Sequence, residues 1–289
     1  MKRLKVWINR RFVGIDDAKI SAFDRGFLYG DGIFETMRSY AGKVFRLDEH
    51  LDRLFASLKI VRIKLPYKKR YLERIIYKSL AINDLKSAYI RLTITRGEGR
   101  FGINYRDKFT PNLVMVAKEF GDYPGWMYKK GISAAVVSLR QNEYSPTTKI
   151  KSLNFLNYIL ARLEAKAKGF DEAILTNTKG AVAEGATSNI FLIKNRRLAT
   201  PSLKSGIVPG VTRAVIIGIA KSLRLDLKEG QVSYKELLNS DEVFLTNSLA
   251  EVLPVIRIDS KMIGDGQPGD ITKLLHVSYQ KEVIRYSLQ

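Results

Sequence analysis

One lysine in this sequence precedes a helical pattern of apolar residues and is suited to covalent chemistry. The apolar residues recur every three or four positions, at Leu153, Leu156, Leu160 and Leu163. This spacing predicts an amphipathic helix that begins just after Lys151. An amine held against apolar neighbours titrates below its solution value and adds to a carbonyl to form a Schiff base. Lys151 is therefore a candidate nucleophile, although any one of the 49 Lys and Arg residues is more often a solvated surface group.

Two later segments carry groups that would suit a charged ligand. Glu184 stands among small residues in a predicted strand over 181–193, where a carboxylate is unusual and a β-bulge is the ordinary explanation. The segment 206–213 opens a predicted helix, and its first backbone amides together with the Thr212 hydroxyl would form an anion site. An ordinary capped helix is the alternative for this second segment.

The elements that would position these groups begin with a glycine-rich loop over 24–32, which leads into a predicted strand over 33–38. Glycines at this density let the backbone turn tightly or approach a ligand closely. A second strand is predicted over 88–95 from its alternation, and a flexible basic loop over 96–102 follows it. A helix with an apolar face at Leu47, Leu51, Leu54, Phe55 and Leu58 is predicted between these strands.

The run from Ile150 to Asn157 resembles the cofactor-lysine segment of the class IV pyridoxal-phosphate aminotransferases, also called fold type IV. The resemblance extends from about Asn9 to the helix near Pro268. It implies that Lys151 binds pyridoxal 5′-phosphate as a Schiff base and that its freed amine moves the substrate α-proton. It also implies that Glu184 pairs with the pyridine nitrogen and keeps it protonated, so that the ring can stabilise a carbanion.

The same resemblance assigns ligands for the cofactor phosphate and for the substrate. The phosphate ligands it implies are Arg53, Val211, Thr212 and Ser248. The substrate residues it implies are Tyr29, Phe34, Thr36, Arg38, Tyr89, Arg91, Arg100 and the backbone amide of Leu249.

Three positions depart from the pattern of the branched-chain aminotransferases. Thr36 stands where those enzymes usually have glycine and where lyase members commonly have threonine. Phe155 stands where many members have a tyrosine that contacts the 3′ oxygen of the cofactor, a bond that phenylalanine cannot make. The residues Asn247-Ser248-Leu249 stand where the branched-chain type favours Gly-Thr-Ala.

The extended match around Lys151 and the Tyr-Ile-Arg run over 89–91 favour a branched-chain L-amino acid aminotransferase that uses a 2-oxo acid such as 2-oxoglutarate. Thr36 and the run over 246–248 favour an aminodeoxychorismate lyase, which would release pyruvate. A D-amino acid aminotransferase is the third alternative. A basic binding protein without a cofactor is an alternative of a different class.

The expected fold has two α/β domains with the cofactor at their junction. We predict an N-terminal domain over 1–118, a linker rich in turn-forming residues over 119–129 and a cofactor-binding domain over 130–289. The resemblance also implies a homodimer in which a loop from the partner completes each pocket.

The amino-acid composition excludes several other classes of function. The chain has no cysteine, which excludes disulfides and thiolate chemistry, and two histidines leave little for a metal cluster or a Ser-His-Asp triad. The polar start and the lack of a long apolar run predict a cytoplasmic protein without a membrane span. The formal net charge of +20 would suit anionic ligands, but no nucleic-acid-binding motif accompanies it.

Overall fold

The computed structural model describes residues 4–103 and 108–288, and the chain divides into two compact units. The first unit comprises 1–121, 150–155 and 285–289; the second comprises 122–149 and 156–284. The segment that carries Lys151 therefore belongs to the first unit, although it follows the boundary at residue 121 in sequence.

Within the described residues, the first unit has a six-stranded sheet in the order β2-β1-β6-β5-β3-β4, with every neighbouring pair antiparallel. Its strands are β1 Lys5–Ile8, β2 Arg11–Gly14, β3 Gly32–Tyr40, β4 Lys43–Val44, β5 Ala88–Thr95 and β6 Asn112–Glu119. Its helices are α1 Arg25–Tyr29, α2 Leu47–Ile60 and α3 Lys69–Ile82. The predicted loop over 24–32 thus contains a helical turn, because the Asp24 side chain caps the amides of Gly26 and Phe27.

The core of the first unit lies between one face of this sheet and the helices α2 and α3. Strand β5 alternates between buried and half-buried residues, as the sequence predicts. Leu51 and Leu54 of α2 are buried with Ile76 of α3 against Met37 and Ile90 of the sheet. The apolar stripe predicted for α2 faces this core, and Asp48 and Glu49 occupy its first turn, where negative charge stabilises a helix.

The second unit is built on a nine-stranded mixed sheet in the order β12-β11-β10-β13-β14-β7-β8-β9, with β15 paired to β14. Its strands are β7 Ile132–Gln141, β8 Glu172–Asn177, β9 Val182–Gly185, β10 Asn189–Lys194, β11 Arg197–Pro201, β12 Leu227–Gly230, β13 Glu242–Asn247, β14 Glu251–Ile258 and β15 Lys261–Met262. Its helices are α4 Gly125–Lys130, α5 Leu156–Ala167, α6 Val211–Ser222, α7 Tyr234–Leu238 and α8 Asp270–Ser287, whose last residues belong to the first unit. The mixed α/β class is confirmed, and none of the helices described could cross a membrane.

Helix α5 begins later in the chain than the sequence predicts. It begins at Leu156, five residues after Lys151, and its leucine stripe is exposed, with Leu156 at 64% and Leu163 at 57%. Its buried face consists of Ala161 and Ala165, which pack with residues of β7 and β8. The leucine face is exposed because the small alanines, on another face, let the helix approach the sheet closely.

Candidate active site

Lys151 is fixed by backbone hydrogen bonds to β3 and not by helix α5. The Phe34 amide donates to the Lys151 carbonyl (2.8 Å), and the Leu153 amide donates to the Gly32 carbonyl (3.0 Å). Ile33 and Ser152 form an isolated antiparallel bridge between the same segments. The Lys151 Nζ atom lies 4.6 Å from the centre of the Phe34 ring. The lysine amine therefore has a defined position beside the strand that carries the predicted substrate residues.

Five of those predicted substrate residues share one face of the sheet. Thr36 is the register partner of Arg91, and Arg38 is the partner of Tyr89, across the antiparallel pair β3–β5. Phe34 is two residues from Thr36, so its side chain points to the same face. The Arg91 Cζ atom lies 3.8 Å from the centre of the Phe34 ring. The structure thus combines an aromatic ring, a hydroxyl and two guanidinium groups on the face that also receives the Lys151 amine.

Tyr29 and Arg100 belong to a different part of the first unit. The Tyr29 hydroxyl accepts a hydrogen bond from the Gly102 amide (2.8 Å), which connects α1 to the loop over 96–102. Arg25, which is buried, stacks over the Tyr29 ring and donates to the Gly102 carbonyl (2.7 Å). Arg100 lies exposed in this loop. The sequence did not single out Arg25, because a basic residue in a loop gives no sign of burial.

Arg53 forms a cluster with the buried side chains of Glu35 and His50, and the charge of Lys151 also acts on the His50 ring of this cluster. Its Nε and Nη2 atoms donate to the two carboxylate oxygens of Glu35, both at 2.7 Å, and His50 Nδ1 lies 2.9 Å from Glu35 Oε2. Burial alone would raise the pKa of Glu35, but Arg53 and the hydrogen bond from His50 outweigh it and lower the pKa to about 2. Burial lowers the pKa of His50, so we assign a neutral ring that donates to the carboxylate.

Glu184 lies in β9 and is buried, with polar side chains from three other elements around it. Tyr158 Oη and Gln141 Nε2 each donate to its Oε1 atom at 3.2 Å. The Val208 amide (3.0 Å) and Asn189 Nδ2 (3.3 Å) donate to Oε2. Burial and the charge of Glu184 raise the pKa of Tyr158, so that its hydroxyl remains a donor. This carboxylate is held in one orientation and is suited to accept a further N–H donor.

The hydrogen bond from Val208 also fixes the loop that leads into α6. Gly210 is the N-cap of that helix and has no side chain to occupy the first amides. A Cβ atom at Gly210 would collide with Asn189 Oδ1, which itself belongs to the Glu184 cluster. Val211 and Thr212 are buried in the first turn. The start of α6 therefore has no side-chain cap on its first amides, which is the arrangement that an anion site requires.

Ser248 and Leu249 lie in the turn between β13 and β14. The Asn247 Oδ1 atom accepts from the amides of Leu249 (2.9 Å) and Ala250 (2.7 Å), so the residue before the turn organises it. Thr246, in β13, is the register partner of Asn189 in the adjacent strand β10. Among the described residues, its Oγ1 atom is buried without a hydrogen-bond partner. The role of Asn247 was not predicted, although asparagine at the start of a turn is a recognisable signal.

Each unit, taken by itself, carries groups that suit part of a phosphorylated pyridine aldehyde. The second unit has a buried carboxylate for a ring N–H, an open helix start for a phosphate and an unsatisfied hydroxyl at Thr246. The first unit has a positioned primary amine at Lys151. The class of protein that such groups define is an enzyme that uses pyridoxal phosphate.

Comparison with known proteins gives the family. The model of amino-transferase class IV matches residues 32–258. A Methanocaldococcus jannaschii protein provisionally named branched-chain-amino-acid aminotransferase is 40% identical over 280 residues, 96% of each chain. The aminodeoxychorismate lyase of Bacillus subtilis is 36% identical over 96% of this chain and 94% of its own. A T.th. branched-chain amino acid aminotransferase, solved with pyridoxamine 5′-phosphate, has a TM-score of 0.93 and 32% identity over 98% of this chain and 95% of that one.

The chain belongs to the class IV aminotransferase family. It is a transaminase that depends on pyridoxal phosphate, and the resemblance of the chain to this family is confirmed.

Proposed function

We propose that this enzyme transfers the amino group between a branched-chain L-amino acid and a 2-oxo acid such as 2-oxoglutarate. The observation that carries the proposal is the placement of Lys151 Nζ and Arg91 on the same aromatic ring, Phe34. An apolar ring beside a guanidinium group suits a substrate with a hydrocarbon side chain and a carboxylate. The names of the M. jannaschii and T.th. relatives support this choice.

In this proposal the cofactor ligands are those implied by the sequence. Lys151 carries the covalent link, Glu184 pairs with the ring nitrogen, and Arg53, Val211, Thr212 and Ser248 hold the phosphate. Bound pyridoxal phosphate supplies an electron-withdrawing ring that acidifies the α-carbon of the substrate. The four donors around Glu184 hold its carboxylate in one orientation, so that it can pair with a proton on the ring nitrogen.

The remaining residues bind the substrate and move its proton. The Lys151 amine takes the α-proton from the substrate and delivers it to the cofactor carbon that bears the transferred amino group. The hydrogen bonds between its segment and β3 keep the amine in position for both steps. Carboxylates are bound by three side chains that share one face of the sheet, those of Arg91, Arg38 and Tyr89. The rings of Phe34 and Phe155, which pack edge to face, exclude water from the Lys151 amine. Tyr29, Arg100 and the Leu249 amide complete the proposed substrate contacts.

A second candidate function is aminodeoxychorismate lyase, and Thr36 favours it. Its hydroxyl lies in register with Arg91 on the face that receives Lys151. A hydroxyl at this place could pass a proton to the group that leaves, so that pyruvate is released and transfer is not completed. The B. subtilis relative gives this alternative independent support.

We also propose that the enzyme is a homodimer and that α5 contributes to its interface. Four apolar side chains of this helix are exposed in the single chain, at Leu156, Ile159, Leu160 and Leu163. A continuous apolar helix face of this kind is typical of a surface that a partner covers. A second copy of the chain is the partner that the family implies.

The proposed function is tested by the absorption spectrum of the purified protein during addition of L-leucine without 2-oxoglutarate. Bleaching of the visible band of lysine-bound pyridoxal phosphate would establish the first half of the transfer. A band that persists with L-leucine but responds to D-alanine would favour the D-amino acid reaction. Pyruvate release from aminodeoxychorismate would favour the lyase. If no band formed after addition of pyridoxal phosphate, the role proposed for Lys151 would be refuted.

A further inference from the structure

The turn between β13 and β14 places a buried carboxylate in an unfavourable backbone conformation. Glu251, the first residue of β14, has a φ of +57°, in the left-handed region that favours glycine. Ten non-glycine residues have positive φ in the part of the chain that the structure describes, and Glu251 is the buried one among them, at 6% exposure. Strain of this kind persists where surrounding contacts determine the conformation, and it is concentrated at functional sites.

The contacts that hold Glu251 come from two helices of the same unit. Its Oε2 atom lies 3.1 Å from His276 Nε2 on α8, and Gln280 lies 3.3 Å from the same nitrogen. The His276 ring is stacked on Tyr128 of α4, with centroids 4.9 Å apart and planes at 19°. The Tyr128 hydroxyl donates to the carbonyl of Ala250, the residue before Glu251 (3.2 Å). These contacts form a closed circuit that begins and ends at the turn.

The turn is held at both ends by hydrogen bonds. At its start, Asn247 accepts from the amides of Leu249 and Ala250, and at its end Ala250 and Glu251 bond to Tyr128 and His276. Ser248 and Leu249, the proposed ligands of the cofactor phosphate and the substrate carboxylate, lie between these two sets of bonds. The Glu251 carboxylate contacts His276 from this backbone conformation, which glycine would adopt without strain but without a carboxylate.

We propose that Glu251, His276 and Tyr128 are positioning residues that hold the Ser248–Leu249 turn in its binding conformation. The inference rests on the proposed function for the roles of Ser248 and Leu249, but not for the geometry of the turn. The strained backbone of Glu251 is maintained by its bond to His276, and the turn loosens when that bond is lost.

The test compares Glu251→Gly with Glu251→Gln by hydrogen exchange of the 247–251 segment in the protein without cofactor. Glycine relieves the strain but removes the carboxylate, so we expect unchanged or higher thermal stability and about tenfold faster exchange in this segment. Glutamine retains an oxygen that accepts from His276, so exchange should stay within about twofold of the wild type. Ala41→Gly is the matched control, because Ala41 also has a positive φ (+49°) but is exposed in the β3–β4 turn.

The same variants have a second readout in the affinity for pyridoxal phosphate. We expect the dissociation constant of Glu251→Gly to rise about tenfold, and the KM for L-leucine to rise more than kcat falls. If Glu251→Gly does not fold, Tyr128→Phe removes a single hydrogen bond and should accelerate exchange of the same segment about threefold.

Exchange that is unchanged in Glu251→Gly, or in Tyr128→Phe if the first variant does not fold, would overturn the positioning role. A wild-type protein that binds no pyridoxal phosphate would refute the proposed function and leave the exchange result intact. The two failures are therefore distinguishable.

Discussion

At the scale of single residues, the amine of Lys151 is the group on which the proposed chemistry depends. Replacement by alanine should abolish the visible cofactor band and reduce turnover by at least about a thousandfold, because both the covalent link and the proton transfer are lost. Absorbance and a transaminase assay measure the two effects. Lys149→Ala is the matched control, since this lysine lies two residues away and is exposed. Turnover retained by Lys151→Ala would exclude the proposed mechanism.

A second prediction at this scale concerns Asn247, whose side chain holds the turn that is proposed to bind the substrate carboxylate. Its Oδ1 atom accepts from the amides of Leu249 and Ala250. We expect Asn247→Gly to raise the KM for L-leucine about fivefold, because one neutral hydrogen bond is worth about 1 kcal/mol. Steady-state kinetics provides the measurement. A lower KM in Asn247→Gly would mean that Asn247 obstructs the Leu249 amide more than it supports the turn.

The residues named from the sequence were predictable to different degrees. Lys151, Glu184 and the start of α6 lie in local motifs whose residue types and order resemble those of the family. Glu35, Gln141 and Tyr158 could not be found in this way, because each acts through a partner that is distant in sequence and whose approach depends on the fold. In the sequence they are a carboxylate in a strand, a glutamine at the end of a strand and a tyrosine on a helix, and none of these patterns indicates a functional site.

At the scale of elements, α2 and β3 are joined by the buried cluster of Glu35, His50 and Arg53. The folded pKa of Glu35, about 2, is lower than its ordinary value of 4.5, so the cluster stabilises the protein above pH 4.5 and this contribution is lost as the pH falls toward 2. The shift corresponds to a contribution on the order of 3 kcal/mol.

We expect Glu35→Gln to lower the free energy of unfolding by on the order of 3 kcal/mol at about pH 6, and by roughly half as much at about pH 3. Urea denaturation at the two pH values measures this. Glu49→Gln, which changes an exposed carboxylate on α2, should show little difference at either pH. A Glu35→Gln deficit that is the same at both pH values would show that packing, and not charge, stabilises the cluster.

Helix α5 shows where periodicity fails as a guide. The leucine spacing correctly predicts a helix, but a 3.6-residue period only identifies an apolar face and does not reveal what covers it. Ala161 and Ala165, which contribute little to an apolar stripe, form the buried side. The strands β3 and β5 were more predictable, because their side chains alternate and register then sets which residues share a face.

If the exposed leucines of α5 lie in a dimer interface, a charge among them should dissociate the dimer. We expect Leu163→Lys to shift the sedimentation coefficient from that of a dimer toward that of a monomer, because lysine would be buried without a partner. Leu203→Lys, at another exposed leucine outside α5, should leave the dimer unchanged. A wild-type protein that sediments as a monomer would remove the basis for this interface.

At the scale of the whole molecule, the formal net charge of +20 exceeds what the proposed anion sites require. A field of this size acts on the net charge of an approaching ligand, and 2-oxoglutarate is a dianion whereas L-leucine is a zwitterion without net charge. Screening by salt should therefore slow the association of 2-oxoglutarate and not that of L-leucine. Raising the ionic strength from about 0.02 M to about 0.2 M shortens the Debye length from about 20 Å to about 7 Å. We expect this change to lower kcat/KM for 2-oxoglutarate severalfold and to leave kcat/KM for L-leucine within about twofold. Equal losses for both substrates would assign the salt effect to the active-site guanidinium groups and not to the basic surface.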